Sequence, residues 1–169
     1  MSTPALQVLK YKEVIIKSLD GKNTFDLTNS ILFADYYEDI LSPCITATIQ
    51  VASSYSILHG IPIRGGEVVT FNAETYSGEF KLTEDFALYV YKVSGSLHDE
   101  TKEMFTLHLT SREGLTNETV RVQKKYEKQP INNHVNSILN DVLQPKKFKS
   151  ENIESTSNSF SFIGTLKKP

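Results

Sequence analysis

The sequence predicts an α+β fold, mainly antiparallel β, with one or two amphipathic helices toward the C-terminus. Three observations carry this expectation. A hydrophobic period of two dominates from residue 12 to residue 110, turn-forming pairs separate the alternating runs, and the period becomes helical after Arg112. The first strand run covers residues 13–18, and Asp20-Gly21 after it supplies the positive φ of a tight hairpin. A second run covers residues 31–37, and Ser42-Pro43 breaks the chain beyond it. Next, Ile45, Ala47, Ile49 and Val51 alternate with Cys44, Thr46, Thr48 and Gln50, which describes a half-buried antiparallel strand with one apolar and one threonine-lined face. Residues 53–59, with Tyr55 and Leu58, suit one helical turn better than a strand. Strand runs return at 67–73, 86–94 and 102–111, where Phe105, Leu107 and Leu109 share a face; Gly65-Gly66 and Ser77-Gly78 allow sharp reversals.

Beyond Arg112, Leu115, Thr119, Val122 and Tyr126 stand at helical offsets. A stronger stripe follows in Ile131, Val135, Ile138, Leu139 and Val142, with Asn132, Asn133, Asn136 and Asn140 largely outside it. Pro130 suits the first turn of that helix and Pro145 cannot continue it. After the loop Lys146-Lys147-Phe148-Lys149, residues 152–155 and 159–163 read as short strands. The stretch from Gly164 to Pro169 carries no capping element and looks cut, as if a further domain followed. The expected organisation is a β domain over 1–112 and a helical and short-strand segment over 113–169, the start of a following or inserted domain.

Composition bounds the function classes. The 169 residues are 39% hydrophobic and 22% charged, which describes a soluble globular chain. A single cysteine excludes an internal disulfide and a cysteine-built zinc site, and permits an intracellular origin. The N-terminus, Met1-Ser2-Thr3-Pro4, has no signal-like apolar run, and no stretch approaches bilayer-spanning length. The net charge of −2 divides unevenly. Residues 1–120 hold nine Lys/Arg against sixteen Asp/Glu, while residues 121–169 hold nine against four. Solvated faces explain such a split, and so do opposite ends that meet neighbouring subunits.

Reactive constellations are few. His59, His98, His108 and His134 are scattered, with no pair at the i, i+4 spacing that would aim two imidazoles at one metal. His108 falls on the Thr106 and Thr110 face of its strand and reads as a surface or interface histidine; His134 points off its helix's apolar stripe and reads as solvated. Cys44 has no nearby histidine in sequence to activate it and reads as structural. The pairs Glu38-Asp39, Glu84-Asp85 and Asp99-Glu100 sit at strand ends or loops where charges solvate cheaply. Gly65-Gly66 lacks the remaining residues of a phosphate loop, and the sequon at Asn117 carries little weight without a secretory signal. Arg121, Lys124, Lys125 and Lys128 fall on the first candidate helix, with Lys146, Lys147 and Lys149 downstream. A solvated or subunit-contacting face accounts for them better than nucleic-acid recognition. No catalytic, cofactor-binding or metal-binding residue is assigned, and no cofactor is expected.

The run Asp39-Ile40-Leu41-Ser42-Pro43-Cys44-Ile45-Thr46-Ala47-Thr48, continued by Ile61-Pro62-Ile63-Arg64-Gly65-Gly66-Glu67-Val68-Val69, resembles the baseplate hub proteins of contractile-tailed bacteriophages. Similar stretches are Leu88-Tyr89-Val90-Tyr91-Lys92-Val93-Ser94, Leu115-Thr116-Asn117-Glu118, the 131–143 helix and Ser161-Phe162-Ile163-Gly164. The resemblance implies an N-terminal tail-tube-like domain, a β-barrel or sandwich, in a virion structural protein. Full hub chains are longer than this one, and three of them form a homotrimeric ring of six similar domains that adapts the three-fold spike to the six-fold tail tube. The implied partners are further copies of the chain, the central spike or tail lysozyme protein, and the tail tube protein, with DNA only as passing cargo and no membrane. The implied location is the virion tail baseplate, assembled in the host cytoplasm. In that setting Glu67, Glu74 and Glu79 would line a channel whose charge discourages sticking. The alternative is a β-sandwich receptor- or carbohydrate-binding module of a phage particle, which would need Tyr36, Tyr37, Tyr55, Tyr76, Tyr89 and Tyr91 to converge on an exposed surface. An enzyme is not expected, since a hydrolase would need clustered carboxylates or a Cys44–His pair in a cleft.

Overall fold

The described residues of the first 111 form eight strands, six of them on the alternating runs. The computed structural model describes residues 10–54, 57–60, 62–75, 78–99, 102–144, 153–166 and 168–169, and the chain divides into two compact units, 1–111 and 112–169. In the first unit the strands are β1 (Lys10–Lys17), β2 (Thr24–Asp26), β3 (Ile31–Tyr37), β4 (Thr46–Ser53), β5 (Val68–Thr75), β6 (Gly78–Leu82), β7 (Leu88–His98) and β8 (Glu103–Thr110). One helical turn, α1 (Ile57–Gly60), follows β4 and buries Ile57. Every pairing is antiparallel, in the order β2-β1-β5-β7-β8-β4-β3, with β6 beside β5.

The two-residue period dictates the register. Along β4 and β8, Ala47 faces Leu109, Ile49 faces Leu107 and Val51 faces Phe105, so the apolar face of each strand falls on the same side of the sheet. These residues join Val14 and Ile16 of β1, Val69 and Phe71 of β5, and Leu88 and Val90 of β7 in one core. Gly21 turns the β1–β2 hairpin at φ +71°, as Asp20-Gly21 predicts. The strands missed by alternation, β2 and β6, are three and five residues long, too short for a period to stand out.

The barrel expectation is corrected at this point. Among the described residues the hydrogen-bonded ladder runs from β2 to β3 and is not closed. β5 divides one edge between two partners: Val68 and Val69 pair with β7, and residues 71–75 pair with β6. The β3 end of the sheet meets the β1 and β6 end over the shared core. Side chains, not backbone bonds, then meet β3 from the other half. Tyr36 packs edge-on against Phe80 at 5.0 Å, and the Ala34 backbone hydrogen-bonds the Tyr11 hydroxyl.

The second unit contains α2 (Arg112–Thr119), β9 (Lys125–Pro130), α3 (Ile131–Ile138), a π-helical turn over Leu139–Leu143, and β10 (Ser159–Ile163). The helix expected to carry Val122 and Tyr126 ends at Thr119, and Tyr126 lies instead on β9. Arg121 terminates it by donating to the carbonyls of Asn117, Glu118 and Val120. Tyr126 then pairs with Phe162 across the β9–β10 ribbon, their rings stacked at 4.4 Å. Of the expected tail strands, 159–163 forms and residues 153–155 do not; Asn152, like the loop 145–149 and Pro145 with it, lies outside the described residues.

Candidate assembly surface and interior cavity

The loop after β3 is built to expose hydrocarbon. Asp39 Oδ1 accepts the Leu41 N–H at 2.9 Å, the Ser42 N–H donates to the Asp39 carbonyl at 3.0 Å, and the Ser42 hydroxyl donates to the Cys44 carbonyl at 2.8 Å. This turn holds its own polar groups. It leaves Ile40 99% and Leu41 89% exposed. Tyr37 at the near end of β3 is also exposed, as are Leu32 and Phe33 at its far end, and among the described residues β3 pairs only with β4. Burying Ile40 and Leu41 against a partner would contribute about 1.5–3 kcal/mol each. An edge strand followed by an exposed apolar loop makes this the candidate assembly surface of the first unit.

The acids proposed as one channel lining are not equivalent. Glu67 is buried, and its carboxylate accepts the N–H of Arg64 at 2.7 Å and of Gly65 at 3.0 Å. It ties down the turn in which Gly65 and Gly66 take φ +102° and +95°. Glu67 is therefore removed from any lining, because its side chain is buried beneath the loop. Glu74 and Glu79 are exposed, and Lys12 approaches them at 3.4 and 3.6 Å. Lys81 hydrogen-bonds Glu79 and holds that carboxyl below its usual range, while Glu74 raises the Lys12 ammonium.

Each described histidine has its own surroundings. His108 is half-buried with Nε2 at 2.7 Å from the Ser94 hydroxyl, and His98 is exposed. The side chain of His59 lies outside the described residues. His134 corrects the expectation of a solvated ring. It is 4% exposed, its Nε2–H donates to the Phe160 carbonyl at 2.9 Å, and its ring meets Tyr126 and Phe162 edge-on at 5.4 and 5.3 Å. The stripe residues Ile131 and Val135 are instead 42% and 38% exposed. The stripe names the apolar face, and the β9–β10 ribbon decides which face is covered.

Cys44 is half-buried two residues before β4. Glu38, Asp39, Glu84 and Asp85 are exposed as expected, Asp99 likewise, and Glu100 lies outside the described residues. The basic residues disperse: Arg121 caps α2, Lys124 reaches Ser137 and Asp141 at 3.3 and 3.4 Å, Lys125 lies 4.0 Å from Glu127, and Lys168 binds Glu118 at 2.6 Å. Lys146, Lys147 and Lys149 lie outside the described residues. Of the tyrosines, Tyr36 is packed on Phe80, Tyr37 is on the opposite face of the same strand, and β4 and β8 separate them from Tyr89 and Tyr91 on β7; Tyr55 and Tyr76 lie outside the described residues. Those four form no common platform.

The feature that alternation alone did not indicate is inside the first unit. A half-open apolar pocket of about 580 Å³ lies on the inner face of the sheet, walled by Ala34 and Tyr36 of β3 and by Phe71, Phe80 and Leu82 of β5 and β6. Ala47, Ile49, Val69, Leu88 and Leu109 form its buried interior. A signal for it is present in the alanines: Ala34 and Ala47 stand at inward positions where neighbouring strands carry larger side chains. Tyr11, Phe71, Phe80 and Tyr36 make an unbroken edge-on aromatic chain beside it, and burial raises the Tyr11 and Tyr36 hydroxyl pKa values.

Among the described residues, no group of three His, Cys, Asp or Glu stands close enough to hold a metal ion, and no helix is long and apolar enough to cross a membrane. Compared with known proteins, the chain matches no family model, and no curated protein shows significant similarity to it.

Proposed function

We propose that this chain is a structural subunit, part of a phage baseplate hub whose trimeric ring adapts the central spike to the tail tube, and that it does no catalysis. The observation that carries the proposal is the exposed Ile40-Leu41 loop beside the edge of β3. A hydrocarbon surface held by its own hydrogen bonds is costly in water and favourable in an interface, and a strand edge lets subunits join without new secondary structure. The loop also lies in the sequence that resembles hub proteins. The partners are further copies of the chain, the spike or tail lysozyme protein, and the tube protein, in the virion baseplate assembled in the host cytoplasm; DNA is only passing cargo.

Mass measurement on the full-length protein, alone and mixed with spike and tube proteins, tests the proposal. A trimer that binds both partners is expected. The double variant Ile40→Asp, Leu41→Asp leaves the fold intact and weakens association by at least about tenfold, as two desolvated carboxylates must. A protein that binds neither partner, or a variant that associates as the parent does, overturns it.

A further inference from the structure

We infer that the half-open pocket between β3 and β6 is the socket for the Ile40-Leu41 loop of a second copy of this chain. The inference rests on the reading of that loop as a joining surface and names what it joins. The pocket, of about 580 Å³, is rimmed by Ala34 and Tyr36 of β3 and by Phe80 and Leu82 of β6, all half-buried, over a floor that includes Ile49 and Phe71. Its polar groups are already engaged. The Tyr36 hydroxyl donates to Glu38 at 3.1 Å and the Thr75 hydroxyl donates to the Gly78 carbonyl at 2.8 Å. Asp35 alternates with Ala34 and Tyr36, so its side chain falls on the other face of β3. The pocket therefore favours hydrocarbon and would leave a polar headgroup unpaired.

The chain itself supplies the occupant. Ile40 and Leu41 are the most exposed large hydrophobic side chains among the described residues, and the turn that carries them closes its own hydrogen bonds through Asp39 and Ser42. Neither enters the pocket of its own chain, although Ile40 follows Tyr36 by only four residues. Loop and pocket are thus two apolar surfaces with no polar group to offer, each costly in water and each covered by the other. They are different patches of one chain. Each copy can give its loop to one neighbour and take the loop of another, which is the contact a closed ring repeats. Two side chains are few beside the roughly 20–30 residues a side of a stable interface. One contact therefore holds weakly, and a ring that repeats it holds better.

The test measures mass in solution across a concentration series for the parent chain, for the double variant Ile40→Asp, Leu41→Asp, and for Ala34→Leu, which adds bulk at the rim of the pocket. Each variant alone is expected to associate at least about tenfold more weakly than the parent. Mixed one to one, the variants are expected to pair and to stop at two chains, because the first keeps an open socket and the second an intact loop. A folded Ala34→Leu that associates as the parent does overturns the inference, as does a mixture that associates no better than its components, or a parent that stays monomeric throughout. Should Ala34→Leu fail to fold, a sample of two differently isotope-labelled copies of the parent replaces it. Nuclear Overhauser contacts from the Ile40 or Leu41 methyls of one copy to the Phe80 ring of the other are expected, and their absence in the associated protein overturns the inference. Binding of spike and tube proteins by a chain whose Ala34→Leu form associates as the parent does leaves the hub reading standing and sinks the socket alone.

Discussion

Replacing Glu67 by glutamine keeps the shape of the side chain while leaving one of the Arg64 and Gly65 amides without its acceptor. The variant should lose about 1–3 kcal/mol of stability, read as a lower midpoint in urea unfolding; a midpoint equal to the parent's would show that water replaces the carboxylate. A pH effect belongs to the second unit. The Lys168 ammonium hydrogen-bonds Glu118 and lowers that carboxyl below its ordinary value of 4.5. A carboxyl depressed in the folded state contributes stability that is present above 4.5 and lost as pH falls through the folded value. Glu118→Gln should therefore flatten the fall in melting temperature on acidification below that pH, while the effect near neutrality stays small because both groups are solvated. Thermal unfolding across the acid range checks the slope. At this scale the sequence was only partly legible. Gly65-Gly66 announces a turn, yet nothing local shows that the neighbouring carboxylate folds back under it, since Glu67 also continues an alternating strand pattern.

The elements show where periodicity succeeds and where it fails. The 31–37 and 159–163 runs appear as β3 and β10 with the expected bounds, because alternation is a property of consecutive residues. The 115–126 run is helical over Leu115 and Thr119 and departs from the helix at Val122 and Tyr126, because β-branched and aromatic residues at helical offsets serve a strand equally well, and Tyr126 stacks on Phe162 instead of extending α2. In α3 the stripe was legible and its burial was not. His134→Ala should cost about 1–3 kcal/mol, by orphaning the Phe160 carbonyl and opening a gap beneath Tyr126. Ile131→Ser should change stability by under about 0.5 kcal/mol. Denaturant unfolding of both variants checks the order, and a larger loss for Ile131→Ser would return the stripe to the buried face.

For the whole molecule, the core of Val14, Ile16, Val51, Val69, Val90, Phe105, Leu107 and Leu109 belongs entirely to residues 1–111. A polypeptide of those residues should fold alone, giving dispersed amide resonances and one cooperative thermal transition. A collapsed spectrum would show that the first unit depends on the second. By itself the sequence determined strand faces, turn positions, the change of period after Arg112 and the lack of any metal-ligand spacing among its histidines, since each is written in residues a few places apart. Long-range packing settled that β5 divides its edge between β6 and β7, that the sheet of the described residues stays open, that a half-open apolar pocket remains on its inner face, and that Glu67 and His134 are buried. Those outcomes depend on which distant edges and rings meet, and the energy of such meetings rests on shape complementarity between segments that the local period does not encode.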